Sequence, residues 1–196
     1  MERNKPKDIA LVQRLLALNK AHFTLADLER ILGQPRPVLY VTLHRLVRDQ
    51  VLVRLRRGVY QAAFQAQALP RVANLLVYPS YLSFESALAQ HGILSQLPYS
   101  LSFATWRRSR RLTLGETVVF FHQLKRSLFF GYTLADGMYL AEPEKAVLDT
   151  CYLAARGLAS LALDELNLAS LDADRLRTYA AHFPVGVQRR IQQLLP

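Results

Sequence analysis

Cysteine occurs once in the 196 residues, at Cys151. A single thiol excludes an internal disulfide framework and any cysteine-based zinc finger, and it suits a reducing compartment, which predicts a cytoplasmic protein. Glycine and proline are sparse, at 8 and 9 copies, while 51% of the residues are apolar. That balance excludes collagen-like, low-complexity and disordered classes. Long apolar runs are missing too. The longest stretch without Asp, Glu, Lys or Arg, Ser86 to Trp106, is interrupted by Gln90, His91, Gln96, Pro98 and several serines, so it does not read as a membrane span. The charged opening, Met1 to Asp8, lacks the apolar centre of a signal peptide. Acids are the remaining shortage, with 15 Asp and Glu against 25 Lys and Arg.

That imbalance leaves a net charge of +10, which favours a polyanionic partner because summed cations raise the potential that captures phosphates. The excess is uneven. Residues 1 to 61 hold 12 Lys and Arg against 5 acids, residues 62 to 126 hold 7 against 2, and residues 127 to 196 hold 6 against 8. The length suits one domain or two small ones.

Ile9, Leu11, Val12, Leu15, Leu16 and Leu18 recur at helical spacing and predict a first helix. Thr24 is a good N-cap with Asp27 in the following turn, and Leu25, Leu28, Ile31 and Leu32 form a stripe that stops at Gly33. Gln34-Pro35-Arg36-Pro37 is a turn, and a third helix follows with Leu39, Leu43, Leu46 and Val47 on one face. Val51 to Leu55 reads as a strand, Arg56-Arg57-Gly58 as a turn, and Val59-Tyr60-Gln61 as the return strand. This order predicts a winged helix-turn-helix over residues 1–66. Ala62 to Leu69 is expected to extend the wing or to form a short helical linker, with a boundary at Pro70.

Residues 70–196 read as a second, mixed α/β domain with a small sheet, which makes the whole chain α+β. Ser83 is a cap candidate for a helix through Ala87, Leu88 and Ala89 to Gly92. Tyr99 to Trp106, Thr117 to Phe121, Leu128 to Tyr132 and Met138 to Ala141 have strand character. Glu142-Pro143-Glu144-Lys145 opens a helix that runs to Gly157, and further helices are expected near Asp172 to His182 and Val185 to Leu195.

With its apolar face inward, the third helix turns Val41, His44, Arg45 and Arg48 outward and places Arg36 and Tyr40 near its leading end. A helix fits the major groove, where Arg donates two hydrogen bonds to guanine or one to a phosphate. The wing adds Arg54, Arg56 and Arg57, so duplex DNA is the expected partner, against the plainer reading of a solvated basic face. A second cluster, Arg107, Arg108, Arg110 and Arg111, follows Trp106 at the end of a strand. It suits an acidic partner surface, a nucleic-acid backbone, or the solubilising edge that cations give to exposed strands.

Catalytic signals are weak. His22, His44, His91, His122 and His182 have no metal-ligand spacing, and no glycine-rich phosphate loop is present. Cys151 sits in an apolar helix as a small core residue would. Among polar residues only Glu142, Glu144, Lys145 and Asp149 look catalytic. Helix-start electrostatics account for the glutamates, and Lys145 with Asp149 is an i,i+4 pair. Neither an enzyme nor a cofactor or metal is expected.

Pro79 to Leu88, His91-Gly92, Leu128 to Tyr132 and Tyr139 to Asp149 occur in an order that resembles the AbiEi antitoxin family of type IV toxin-antitoxin systems. The resemblance spans residues 23 to 153. Each motif alone is of moderate specificity, and four in sequence are far more specific. The resemblance implies a bacterial antitoxin and autorepressor that binds repeats in its own promoter and counteracts a nucleotidyltransferase-like toxin, a role tied to phage abortive infection. It transfers no catalytic residues. It leaves open whether the toxin is touched directly, and Arg107, Arg108, Arg110 and Arg111 are the candidate antitoxin surface. The alternative from the residues alone is a stand-alone winged-helix regulator whose second domain senses a ligand or dimerises.

Overall fold

The computed structural model describes residues 6–65, 68–159 and 166–193. It is a mixed α+β structure whose backbone divides into two compact units. One comprises Met1–Val72 with Thr113–Gly115, the other Ala73–Leu112 with Glu116–Pro196.

In the first unit, α1 (Pro6–Leu18), α2 (Leu25–Leu32) and α3 (Arg36–Arg48) accompany a three-stranded sheet of β1 (Phe23–Thr24), β2 (Leu52–Arg56) and β3 (Val59–Ala62). Leu11 and Leu15 of α1, Phe23, Leu28, Leu39, Leu43 and Leu46 share one core with Leu52 and Tyr60. The start of α2 follows its local chemistry. Thr24 accepts from the Asp27 N–H, and the Asp27 carboxylate accepts from the Thr24 N–H and O–H, so both ends of the capping box close. Gly33 ends the helix at φ +62°, in the left-handed region that glycine enters freely.

Between Ala62 and Pro70 the structure has a single 3-10 turn, Ala63–Gln65, while residues 66 and 67 lie outside the described residues. The sequence places a boundary at Pro70. Pro70 is the second residue of α4 (Leu69–Leu76), where its missing N–H has no intrahelical acceptor to lose, and the division between units falls after Val72.

The second unit is built on a six-stranded sheet in the order β6-β7-β5-β4-β9-β8. Its strands are β4 (Tyr81–Leu82), β5 (Ser100–Thr105), β6 (Arg110–Leu114), β7 (Thr117–Gln123), β8 (Tyr132–Ala135) and β9 (Met138–Ala141). β5 runs parallel to β7, β4 parallel to β9, and β8 returns on β9 through Asp136-Gly137, both at positive φ as a two-residue hairpin requires. The strand expected at Leu128 to Tyr132 is corrected: Arg126–Leu128 is a 3-10 turn, and pairing begins only at Tyr132. Gly131 explains the delay, because its φ of +67° breaks the strand path just before the ladder starts.

α5 (Phe84–Gln90), α6 (Pro143–Ala155), α7 (Ala173–Ala180) and α8 (Val185–Gln192) complete this unit, and α6 packs against the other three. Every residue of α6 from Glu144 to Leu153 is buried, so this helix has no solvated face in its middle turns. Residues 194–196, within the helix expected to reach Leu195, lie outside the described residues. No helix among the described residues is long and apolar enough to cross a membrane.

Candidate nucleic-acid interface

On α3, Leu39, Leu43 and Leu46 are buried, and Arg36, Tyr40, Val41, His44 and Arg48 are exposed. Arg45 departs from the expectation of an outward contact. It is half-buried on the flank of the helix, 3.6 Å from the Asp49 carboxylate, and Arg48 holds the same carboxylate at 2.8 Å. Arg36 leans on Glu29 at 3.4 Å. Part of the positive charge on this helix is therefore matched by acids of its own unit.

The hairpin differs. A bulge between Arg54 and Arg56 breaks the two-residue alternation of β2, which lets Leu52 and Leu55 both turn inward while Arg54 and Arg56 stay exposed. Gly58, at φ +76°, turns the chain, and its carbonyl accepts from the Leu25 N–H at 3.1 Å, which ties the hairpin tip to the start of α2. A side chain on Gly58 would press on Leu25, with Cβ 3.3 Å from Leu25 Cδ1. Arg54, Arg56 and Arg57 have no carboxylate partner among the described residues. Tyr40 and His44 of α3 share a cleft of about 200 Å³ with Arg54 and Arg57 of the hairpin. Periodicity alone does not find this grouping, since it depends on the bulge and on the pairing of β1 with β3, a two-residue strand too short for any pattern.

In the second unit, Arg107 and Arg108 lie in the turn before β6, and Arg110 and Arg111 begin that edge strand. All four are exposed and none has a carboxylate partner among the described residues. Arg107 lies 5.7 Å from the Trp106 ring, Arg111 5.7 Å from that of Phe120, and Arg126, which the sequence pattern does not single out, 5.0 Å from Trp106. Strand register brings Arg126 there, as Gln123 at the end of β7 donates its N–H to Ser109 Oγ.

Three of the segments singled out in the sequence, Pro79 to Leu88, Leu128 to Tyr132 and Tyr139 to Asp149, meet at a buried polar cluster, while His91 Nε2 bonds to the Ala141 carbonyl at 2.8 Å. Lys145 and Asp149, expected as an ordinary i,i+4 pair, are both fully buried and in direct contact. The Lys145 ammonium also donates to Tyr81 Oη at 2.8 Å, the Tyr81 hydroxyl donates to Asp149 Oδ2 at 2.9 Å, and the Ser83 hydroxyl donates to the same oxygen at 2.8 Å. This corrects the capping role expected of Ser83. It occupies the N-cap position of α5, but its side chain is spent on Asp149, and the next residue, Phe84, takes a left-handed φ of +55° at the sharp strand-to-helix turn. Rings of Tyr81, Phe130 and Phe183 stand 5.2 to 5.3 Å from the ammonium. Burial pushes the Asp149 carboxyl up and the Lys145 ammonium down, and each partner opposes the shift of the other.

The neighbouring motif residues serve the same cluster. A Cβ on Gly131 would lie 3.1 Å from both Lys145 Cγ and Tyr179 Cε2, so the glycine permits the close approach. Glu142 accepts from Tyr179 Oη at 2.6 Å, and Glu144 accepts from the Asp172 N–H at 2.9 Å, so both glutamates bond to the segment that carries α7 rather than acting on the helix start alone. Within this cluster Lys145, Asp149, Tyr81 and Ser83 bond to one another and are sealed from solvent. It has the chemistry of a structural lock. Comparison of the chain with protein-family models and with curated proteins finds no match.

Proposed function

We propose that the protein is an autorepressing antitoxin: its first unit, a winged helix-turn-helix, reads duplex promoter DNA, and its second unit opposes a nucleotidyltransferase-like toxin. The observation that carries the DNA half is the convergence of Tyr40 and His44 with Arg54 and Arg57, next to Arg56, on one exposed cationic face. In this reading α3 enters the major groove and the unpaired hairpin arginines hold phosphates, while Arg45 and Arg48 act after releasing Asp49. The antitoxin half is supported by the four family-like segments, three of which contribute residues to one buried cluster.

The test uses the full chain. Arg54→Gln, Arg56→Gln and Arg57→Gln together should reduce the slope of log affinity against log salt by about 0.9 for each phosphate that the variant leaves unneutralised, on duplex DNA from upstream of the reading frame. The same variant should still rescue cells that express the neighbouring toxin gene. Unchanged affinity and slope would remove the hairpin from the DNA site. A chain with no toxic neighbour, yet with operator binding, would instead be a stand-alone regulator.

A further inference from the structure

Beside the C-terminal end of α6 the second unit opens a cleft of about 450 Å³, lined by Gln123, Leu124, Lys125, Tyr152, Arg156 and Pro184. That volume is in the range of small-molecule sites and exceeds what a bare ion fills. No acid among the described residues lines it. Lys125 and Arg156 are exposed, and neither has a carboxylate partner among the described residues. The Arg156 guanidinium lies 5.5 Å from the Tyr152 ring, which props it against the wall. Tyr152 itself is 5% exposed and braced by Phe183 at 6.1 Å. Tyr152 lines the cleft, and its hydroxyl makes no hydrogen bond among the described residues.

Residues bearing an ammonium, a planar guanidinium and a phenol O–H therefore line one open space, with no acid among the described residues that line it. Donors of three shapes suit a tetrahedral group with oxygens on several sides better than a planar carboxylate. Leu124, Pro184 and the Tyr152 ring supply apolar wall for the remainder of a ligand. We propose that this cleft is a binding site for the phosphate of a nucleotide-sized ligand, held by Lys125, Arg156 and the Tyr152 hydroxyl. The phosphate can belong to a free nucleotide or to the end of a nucleic-acid strand. The site is separate from the cationic face of the first unit and does not rest on the antitoxin reading.

Trp106 is the only tryptophan, and its carbonyl accepts from the Gln123 side chain at 3.4 Å, so its fluorescence reports on the cleft rim. The full chain is titrated with AMP, adenosine, and a short oligonucleotide with and without a 5′-phosphate, with calorimetry as the second readout. AMP is expected to bind saturably and at least about tenfold more tightly than adenosine, the size of effect a charge-assisted contact brings. Lys125→Gln and Arg156→Gln, both at exposed positions, should each weaken AMP about tenfold with unchanged thermal unfolding. Tighter binding of AMP than of the phosphorylated oligonucleotide assigns the site to free nucleotide, and the reverse order assigns it to strand ends. Equal affinity for AMP and adenosine together with no effect of the 5′-phosphate, wild-type affinity in both variants, or displacement of AMP by an oligo-glutamate peptide at equal concentration would overturn the proposal.

Discussion

Lys145→Met removes the ammonium from the buried cluster while keeping an unbranched stem between the rings of Tyr81, Phe130 and Phe183. Asp149 is then a fully buried carboxylate with only the Tyr81 and Ser83 hydroxyls as donors. Its way out is to take up a proton. From an ordinary carboxylate pKa near 4, protonation at pH 7 costs about 4 kcal/mol, which caps the penalty and agrees with the roughly 3 to 5 kcal/mol typical of breaking a buried pair. The sign follows from linkage. A carboxyl whose folded pKa is raised contributes stability below its unfolded pKa and loses it as pH rises, so the penalty should shrink by about 1.4 kcal/mol per pH unit toward acid.

Asp149→Asn leaves the opposite orphan. A buried lysine whose folded pKa is lowered contributes stability above its unfolded pKa and loses it as pH falls. That variant should be severely destabilised at pH 7 and recover toward alkaline pH. The double variant Lys145→Met with Asp149→Leu leaves no buried charge and should regain most of the stability. Urea unfolding near pH 5, 7 and 9, followed by Trp106 fluorescence, reads the second unit selectively because Trp106 lies within it. Parallel pH slopes for the two single variants, or singles within about 1 kcal/mol of the parent at pH 7, would refute the account of a sealed, mutually dependent pair.

Three further outcomes are expected. Leu43 is 2% exposed, so Leu43→Ala should cost the first unit about 2 to 5 kcal/mol in denaturant titration, and full stability without DNA binding would mean that α3 faces the other way. Desolvation is the largest single influence on the Asp27 carboxyl and raises it, but the Lys20 ion pair and the Thr24 bonds together outweigh it and hold the group at about 2. A depressed folded pKa contributes stability above the unfolded value and loses it as pH falls from about 4 toward 2, here about 2 kcal/mol at most, and Asp27→Asn should flatten that acid limb. Burial pushes the Cys151 thiol up to about 11, so iodoacetamide at neutral pH should label it only in denaturant, and native labelling at the rate of a free thiol contradicts this packing.

The local grammar of the chain already determined where most elements begin and end. Thr24 with Asp27, Gly33, Pro37 and the Glu142-Pro143 helix start act within a turn of their own position, through caps and fixed φ angles, so no distant residue was needed to read them. The outward face of α3 and the arginine-rich hairpin were legible for the same reason. Tertiary structure decided what each charge meets. That Arg54 and Arg57 join Tyr40 and His44 in a cleft depends on a bulge in β2 and on a two-residue strand pairing across 35 positions of sequence, as Thr24 meets Val59, whereas the sharing of Asp49 by Arg45 and Arg48 is a local contact. Lys145 and Asp149 have the spacing of a surface pair because helical periodicity is blind to burial. Their sealing comes from Tyr81 and Ser83, more than sixty residues earlier, and from the rings of Phe130 and Phe183. The cleft at Lys125 and Arg156 has no sequence signature for a related reason: two ordinary cations acquire meaning only when folding sets them around one space, here with no acid among the described residues that line it.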